Sequence, residues 1–461
     1  MNSSFCRGCR SLPADRERGS LLIVAMLLAS VIGISLASYI ALNQNSLKLA
    51  NRSFYNNGAM NIAETGVEEA LWSFNQVTAG VAASTAWSGW DVSDGVSANR
   101  TFTNFTLSGG NTASVKVYVD RYNPSSGSVQ PIIATRATIT LANETRTLSK
   151  TLEVQIKRRS KFSMGLVAKN QITFNGNTAS VDSWNSDPDN NPGTASVPYG
   201  TGVRHDSGSV GSTSVAVGSL AVNNADIWGF ASVGGSSMTS LSVGSIGTVA
   251  AFGSAAGTVD TTRIATDFTA NFDVEPAPSA GLTTLTSMPA ILPAGTYRYG
   301  GLISDSVTIS GDVILVLTAA AGNDAIRLTG GDALTLTVGS SLKIYTAADV
   351  KIAGNGVVNP TLSPINVQIW GTGSTTQDIQ ISGGSGYTGI VYAPNATVKL
   401  NGGVDVRGSV VANNIIVVGN SAFHYDESLA NFGGDNAYGV TRWRELITAA
   451  DRTLYASRLS P

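Results

Sequence analysis

The sequence predicts a mainly β chain: an N-terminal transmembrane and spine α-helix, then a small antiparallel sheet, then a long β-solenoid. Three observations predict this. Ser20 to Leu42 runs 23 residues without a charge. Val115–Val119, Ile132–Leu141 and Leu148–Ile156 alternate apolar and polar side chains with period two. Beyond Lys161, short apolar runs are punctuated by glycine at near-regular intervals.

The apolar run comes first. As a helix it spans about 34 Å, enough to cross a hydrocarbon core of about 30 Å. From Asn43 to Gln76 the pattern turns amphipathic. Leu42, Leu49, Ile62, Ala63, Val67, Leu71 and Trp72 supply apolar contacts, and Glu64, Glu68 and Glu69 face water. This reads as one helix leaving the membrane, weakened near Asn56-Asn57-Gly58, where helix propensity is low. No heptad persists, so a coiled coil is not expected.

Thr78 to Val96 reads as a loop anchored by Trp87 and Trp90. Three or four antiparallel strands follow, from about Thr101 to Ile156, with turns at Asn123–Gly127 and Asn143-Glu144. The basic cluster Lys157-Arg158-Arg159-Ser160-Lys161 closes the sheet. It reads as a solvated linker, or as a contact for anionic lipid.

After Lys161 the glycines Gly311, Gly330, Gly354, Gly383, Gly402 and Gly419 mark spacings of 19, 24, 29, 19 and 17. A period near 20 with tolerated insertions is what a solenoid produces, with Gly and Asn at corners that need positive φ. A sandwich of short strands is the competing architecture. Gly165–Gly176 (GLVAKNQITFNG) echoes Gly408–Gly419 (GSVVANNIIVVG), which puts both segments in one solenoid. The expected organisation is 1–19 leader, 20–76 helix, 77–160 sheet, 161–426 solenoid with a Pro-rich excursion near 275–293, and 427–461 C-terminal tail.

Composition narrows the function. The formal net charge is −2, with 29 Lys and Arg against 31 Asp and Glu, so nothing suggests nucleic acid. Only 13% of residues are charged and 50 are Gly, which suits short strands with tight turns. Both cysteines, Cys6 and Cys9, fall in the first 19 residues. A lone C-x-x-C is a weak zinc signal, because zinc usually takes four ligands. No cofactor and no metal site is expected.

The leader carries Arg7, Arg10, Arg16 and Arg18 and ends at Gly19, before the apolar run. A secretory signal has its small-residue cleavage site after that run. Together with Arg18-Gly19-Ser20, the segment Asn51–Trp72 (NRSFYNNGAMNIAETGVEEALW) resembles the type IV pilin family, most closely its PilX-like minor pilins. The resemblance implies that Gly19 is the prepilin cleavage position and Ser20 the N-methylated mature N-terminus. It implies a prepilin peptidase and other pilin-like subunits as partners, the latter through the helix. The location it implies is the bacterial inner membrane, single-pass with the N-terminus inside and the bulk exported. Most major pilins carry a glutamate where Val24 stands, which favours a minor or pseudopilin-like role in a pilus or type II secretion-like system. Tyr387–Leu429 resembles the β-helix domain found behind such N-termini, which implies a right-handed solenoid.

Two other classes compete. A plain, uncleaved single-pass adhesin needs only the basic flank and the apolar run. A membrane-tethered carbohydrate-active β-helix enzyme needs clustered carboxylates on one face. Asp312, Asp324, Asp332, Asp349, Asp378 and Asp405 are the candidates, but most sit beside Gly at expected corners and none forms a paired motif. His205 and His424 lie far apart, with no nucleophile motif. No catalytic residue is therefore assigned, and the expected protein is not an enzyme. Asp187–Gly193 weakly suggests a calcium loop but lacks the Gly and Glu that the EF-hand pattern needs. Trp184, Trp228 and Trp370 are read as sugar-stacking surfaces or core caps. The head is expected to present a surface for a carbohydrate or protein ligand.

Overall fold

The computed structural model describes residues 17–460, except 125–129, 143–146, 177, 190, 192, 236–238, 242–243, 250–256, 274, 385 and 433–436. The leader through Arg16, with Cys6 and Cys9, lies outside the described residues. So do most of the two turns expected near 125 and 143.

The chain opens with a single helix, α1 (Glu17–Thr78), of 62 residues. It has two physically different halves. From Leu21 to Phe54 its large apolar side chains are exposed on every side. From Ala59 onward one face is buried: Ala59, Ile62, Ala63, Val67, Ala70 and Phe74 recur at three- and four-residue steps. The weak point expected at Asn56–Gly58 does not interrupt it. There the helix reaches the sheet, with the Gly58 position facing Ile139, and packing overrides local propensity. Leu42, Leu49 and Trp72, expected to make apolar contacts, are exposed, whereas Ile62, Ala63 and Val67 are buried.

That face packs on an antiparallel sheet of β1 (Ala98–Thr106), β2 (Thr112–Asp120), β3 (Ile132–Thr140) and β4 (Thr147–Arg158). Inward positions alternate as period two requires: Val115, Val117 and Val119 on β2, Ile133 and Ile139 on β3, Leu152, Val154 and Ile156 on β4. Trp87 and Trp90, the expected anchors of the segment after α1, are buried in this core. Trp87 meets Phe74 edge-on with ring centroids 5.0 Å apart.

A fifth strand, Tyr438–Glu445, pairs antiparallel with β4. The segment 427–461, read from the sequence as a tail, supplies this strand. It then covers the sheet face opposite α1. Leu459 is buried there, and Lys116 Nζ donates to the Ser460 carbonyl at 2.6 Å. Residues 159–437 are thus inserted between two adjacent strands of the small sheet.

The insertion is built of parallel strands throughout, 22 of them among the described residues. They form three ladders. One runs from Gly295–Tyr299 through 313–317, 341–346, 367–371, 390–392, 410–412, 166–168, 210–212 and 231–233. A second joins 324–328, 349–352, 378–382, 397–401, 414–417, 171–174 and 220–223. The third includes 387–389, 405–408, 422–426, 180–184 and 226–228. Inward rows are continuous and dry. Leu328, Ile352, Ile381, Leu400, Val417 and Phe174 follow one another in register, each almost fully buried. All six marker glycines have positive φ, between 61° and 106°, as their corner positions demand.

The echoing segments are direct neighbours: Val410 pairs with Leu166, Ile415 with Ile172 and Val417 with Phe174. Spatial order therefore departs from chain order. The last strands of the insertion lie beside its first.

Candidate functional site

The residues assigned from the sequence sit at the start of α1. The backbone of Gly19 and Ser20 is helical, continuous with the apolar segment. Among the described residues, this is the helix long and apolar enough to cross a membrane. Val24 is exposed within it. An all-round apolar helix with no protein cover is at home in hydrocarbon rather than in water.

The basic cluster does not form a patch. Arg158 donates from Nε to Tyr438 Oη at 3.1 Å. Lys161 bonds Glu275 at 2.9 Å and lies 5.0 Å from the Tyr392 ring centroid. Burial lowers the Lys157 pKa.

The aromatic candidates are largely enclosed. Trp184 and Trp370 are buried, and Trp228 is half-buried beneath Arg204, whose guanidinium carbon lies 3.9 Å from the ring centroid. Trp370 belongs to an outward row, Tyr345–Trp370–Tyr392, that is roofed by the Pro-rich segment. Phe268 N donates to the Val233 carbonyl at 3.0 Å, Tyr392 Oη to that of Asp273 at 2.6 Å, and Thr283–Leu285 pairs with Tyr297–Tyr299. The excursion is therefore a strap running back along the first ladder, which leaves no stacking platform there.

The acidic candidates fall into two groups. Asp324, Asp349 and Asp378 head successive strands of the second ladder rather than glycine corners. Asp324 is paired to Arg327 and to Lys351 (3.1 Å), and Asp378 to Lys399 (2.7 Å). Asp349 Oδ1 accepts the Asp378 backbone N–H at 2.9 Å. Asp312 accepts from Ser341 Oγ at 2.7 Å, and Asp332 lies in a turn. These are cross-strand ion pairs and turn contacts.

The second group is a constellation that linear distance had hidden. On the third ladder Arg407, His424 and Asp182 are register neighbours on three adjacent strands. His424 Nδ1 bonds Asp182 Oδ1, and His424 Nε2 lies 3.2 Å from Asp405 Oδ1. Tyr199 stacks on the imidazole, with centroids 3.6 Å apart, and donates to Asp182 Oδ2 at 2.6 Å. Arg407 holds Asp405 at 2.5 Å, and Arg204 Nε lies 3.7 Å from Asp182. Burial opposes charge on His424, but its bonds to Asp182 and Asp405 outweigh that and raise its pKa. Asp405 is held below the usual carboxylate range: burial pushes it up, and the His424 bond pulls it down further. The side chains of His424 and Asp182 are 7% and 3% exposed. Each charge here has an internal partner, and the arrangement ties three adjacent strands together.

His205 is close by. Its Nδ1 lies 3.2 Å from Glu427 Oε1, which also accepts from Ser183 Oγ at 2.7 Å. Proximity of the two histidines follows from the pairing of Ala422–Asp426 with Ser180–Trp184, and the echo of 165–176 in 408–419 was the one signal that pointed to it.

In the loop at Asp187–Gly193 both Asp187 Oδ1 and Asp189 Oδ1 accept the Asn191 backbone N–H, at 2.9 and 3.2 Å. Burial and the neighbouring Asp189 raise the Asp187 pKa, while the Asp187 bond lowers that of Asp189. The carboxylates serve the turn. Asn190 and Pro192 lie outside the described residues.

A family model described as a domain of unknown function (DUF7305) matches residues 252–432. No curated protein matches the chain. Among solved structures, a glycosylated ice-binding protein (LeIBP) from Arctic yeast aligns over 58% of this chain and 94% of its own, at 13% identity and TM-score 0.22. The competence-associated pilin ComZ from Thermus thermophilus aligns over 75% of this chain and 87% of its own, at 9% identity and TM-score 0.24. At these scores neither likeness carries an argument about function.

Proposed function

We propose that this is a membrane-anchored, pilin-like exported protein whose role is structural or adhesive. One observation carries the reading: α1 is a single helix whose first half is apolar and uncovered and whose second half is the spine of a folded sheet. Such a helix anchors the chain in a bilayer and holds the folded part a fixed distance from it. The segment between, about residues 43–54, adds roughly 18 Å of exposed helix.

In this reading Gly19 is the cleavage position, Ser20 the mature N-terminus, and the exposed helix the surface on which other pilin-like subunits pack. Val24 in place of a glutamate suits a minor or pseudopilin-like subunit. The three parallel ladders, with their inward rows in register, are the walls of a β-solenoid. It is carried as a head on the small sheet and presents the second ladder to a surface carbohydrate or protein.

A tethered glycan-cleaving enzyme has one observation in its favour, the carboxylates of Asp182 and Asp405 on either side of His424. Such an enzyme needs one carboxyl free to give a proton and another free to attack or to activate water. Asp182 is engaged by His424 and Tyr199, and Asp405 is ion-paired to Arg407 and His424, and this favours the non-enzymatic reading.

Topology tests the proposal. With Cys6 and Cys9 replaced, single cysteines are placed at the exposed positions Asn51, Val217 and Thr441 and labelled from outside intact spheroplasts with an impermeant maleimide. Labelling of all three, with the chain in the membrane fraction, is the expected result. Protection until lysis, or recovery in the soluble fraction, would overturn it.

A further inference from the structure

The insertion is closed by a seam between its two ends. Asp405–Val417 and Ala422–Asp426 come from its finish, and Leu166–Phe174 and Ser180–Trp184 from its start, yet they are laddered together. Some of the polar contacts across the seam are neutral. Ser409 Oγ donates to the Met164 carbonyl at 2.7 Å, and Asn170 Nδ2 to Asn414 Oδ1 at 2.9 Å.

His424 makes a buried ion pair across it. It sits on the last strand of the finish, with Nδ1 bonded across the seam to Asp182 of the start and Nε2 3.2 Å from Asp405 on its own side. The charged and titratable groups facing it are few. Asp405 and Arg407 come from one neighbouring strand, Asp182 from the other, and Tyr199 and Arg204 from the loop that covers them. Only the imidazolium can donate to both carboxylates, because a neutral imidazole has one N–H and turns a lone pair toward the second.

We propose that Asp182–His424–Asp405 is a proton-operated latch on this seam, closed while His424 carries its second proton and loosened when it gives that proton up. The arginines do not replace the missing bond. Arg407 is already on Asp405, and Arg204 stands 3.7 Å from Asp182. Asp426, two residues along the same strand, acts in the same sense. It is buried among Ser186 and Ser428, and burial raises its pKa despite their hydrogen bonds. For both groups the folded pKa is raised. Their contribution to the seam is therefore complete below the unfolded values and is lost as pH rises through the folded ones. The latch opens toward alkaline pH, and it operates whether or not the chain is processed as a pilin.

The chain has two histidines, so His205→Gln leaves one imidazole to follow. Full-length protein in detergent is titrated while the His424 ring is read by nitrogen NMR and backbone exchange by mass spectrometry, corrected for intrinsic rates. His424 should titrate above about 6.5, the ordinary histidine value. Exchange in 180–184 and 422–426 should rise about tenfold or more through the same pH, while 367–371 stays level. His424→Gln, which cannot take up a proton or carry the charge, should exchange at the raised level at every pH. Seam exchange that is flat across the His424 titration, or a His424 that titrates at or below the ordinary value, would overturn the latch. The unsubstituted ring decides the matter even if His424→Gln does not fold.

Discussion

Arg158 and Tyr438 are register partners on adjacent antiparallel strands, although 280 residues separate them in the chain. The Arg158 guanidinium carbon lies 5.4 Å from the Tyr438 ring centroid. Tyr438 also reaches the helix, since its backbone N–H donates to Asn75 Oδ1 at 2.8 Å. The parallel strands are therefore a guest in a host sheet. Joining residue 158 to residue 438 through a short turn, in a chain starting near Phe54, should leave a small domain that unfolds cooperatively. Circular dichroism melting checks this. A broad, non-cooperative melt would show that the host sheet needs its guest.

Gly66 marks a close approach of α1 to the sheet. A Cβ there would stand 2.8 Å from Val117 Cγ2 and 3.0 Å from Val115 Cγ2. Glycine inside a helix costs about 1 kcal/mol relative to alanine, which this contact offsets. Gly66→Val should lower stability by about 1–3 kcal/mol through overpacking, measured by urea unfolding of the host sheet. A neutral result would mean that the helix can lift away freely.

Glu153 ties down the C-terminal segment. Its carboxylate, almost fully buried, accepts two bonds from Arg444 at 2.8 and 2.9 Å, one from Arg442 at 2.9 Å and one from Tyr455 Oη at 2.7 Å. The Arg444 bond holds its pKa below the usual range. A depressed folded pKa gives stability that is present above about 4.3, the ordinary glutamate value, and lost as pH falls through the folded value. Limited proteolysis of residues 446–460 should accelerate over that acidic window. In Glu153→Gln it should be fast at neutral pH.

Ile415 and Ile172 meet across the seam, both fully buried. Ile415→Ala should cost about 2–5 kcal/mol. Because the seam joins both ends of the insertion, exchange should rise in 166–174 as well as in 405–417. A rise confined to 405–417 would show that the ends fold independently.

Local pattern made much of this molecule readable. Charge-free length disclosed the apolar half of α1, period-two alternation disclosed β2 to β4, and glycine spacing disclosed the corners. What stayed hidden was pairing over long sequence separation. The strand Tyr438–Glu445 carries Arg442, Trp443 and Arg444 and reads as polar tail, because the partners that make it a strand, Glu153 and β4, lie far earlier in the chain. Trp370 reads equally as a stacking surface or a core cap, because its cover, the Pro-rich strap, comes from about a hundred residues earlier. His424 and Asp182 carry no joint motif. Only the register of parallel strands brings them together, and the echo at 165–176 and 408–419 was the trace of that register in the sequence.

The central claim is entry into a pilus-type pathway, and the N-terminus tests it most directly. Intact mass and N-terminal sequencing of protein recovered from its native membrane, with and without prepilin peptidase, give the answer. The account predicts a chain beginning at methylated Ser20 when the peptidase is present and at Met1 when it is absent. A chain that keeps Met1, Cys6 and Cys9 in both would contradict it and leave a static anchor.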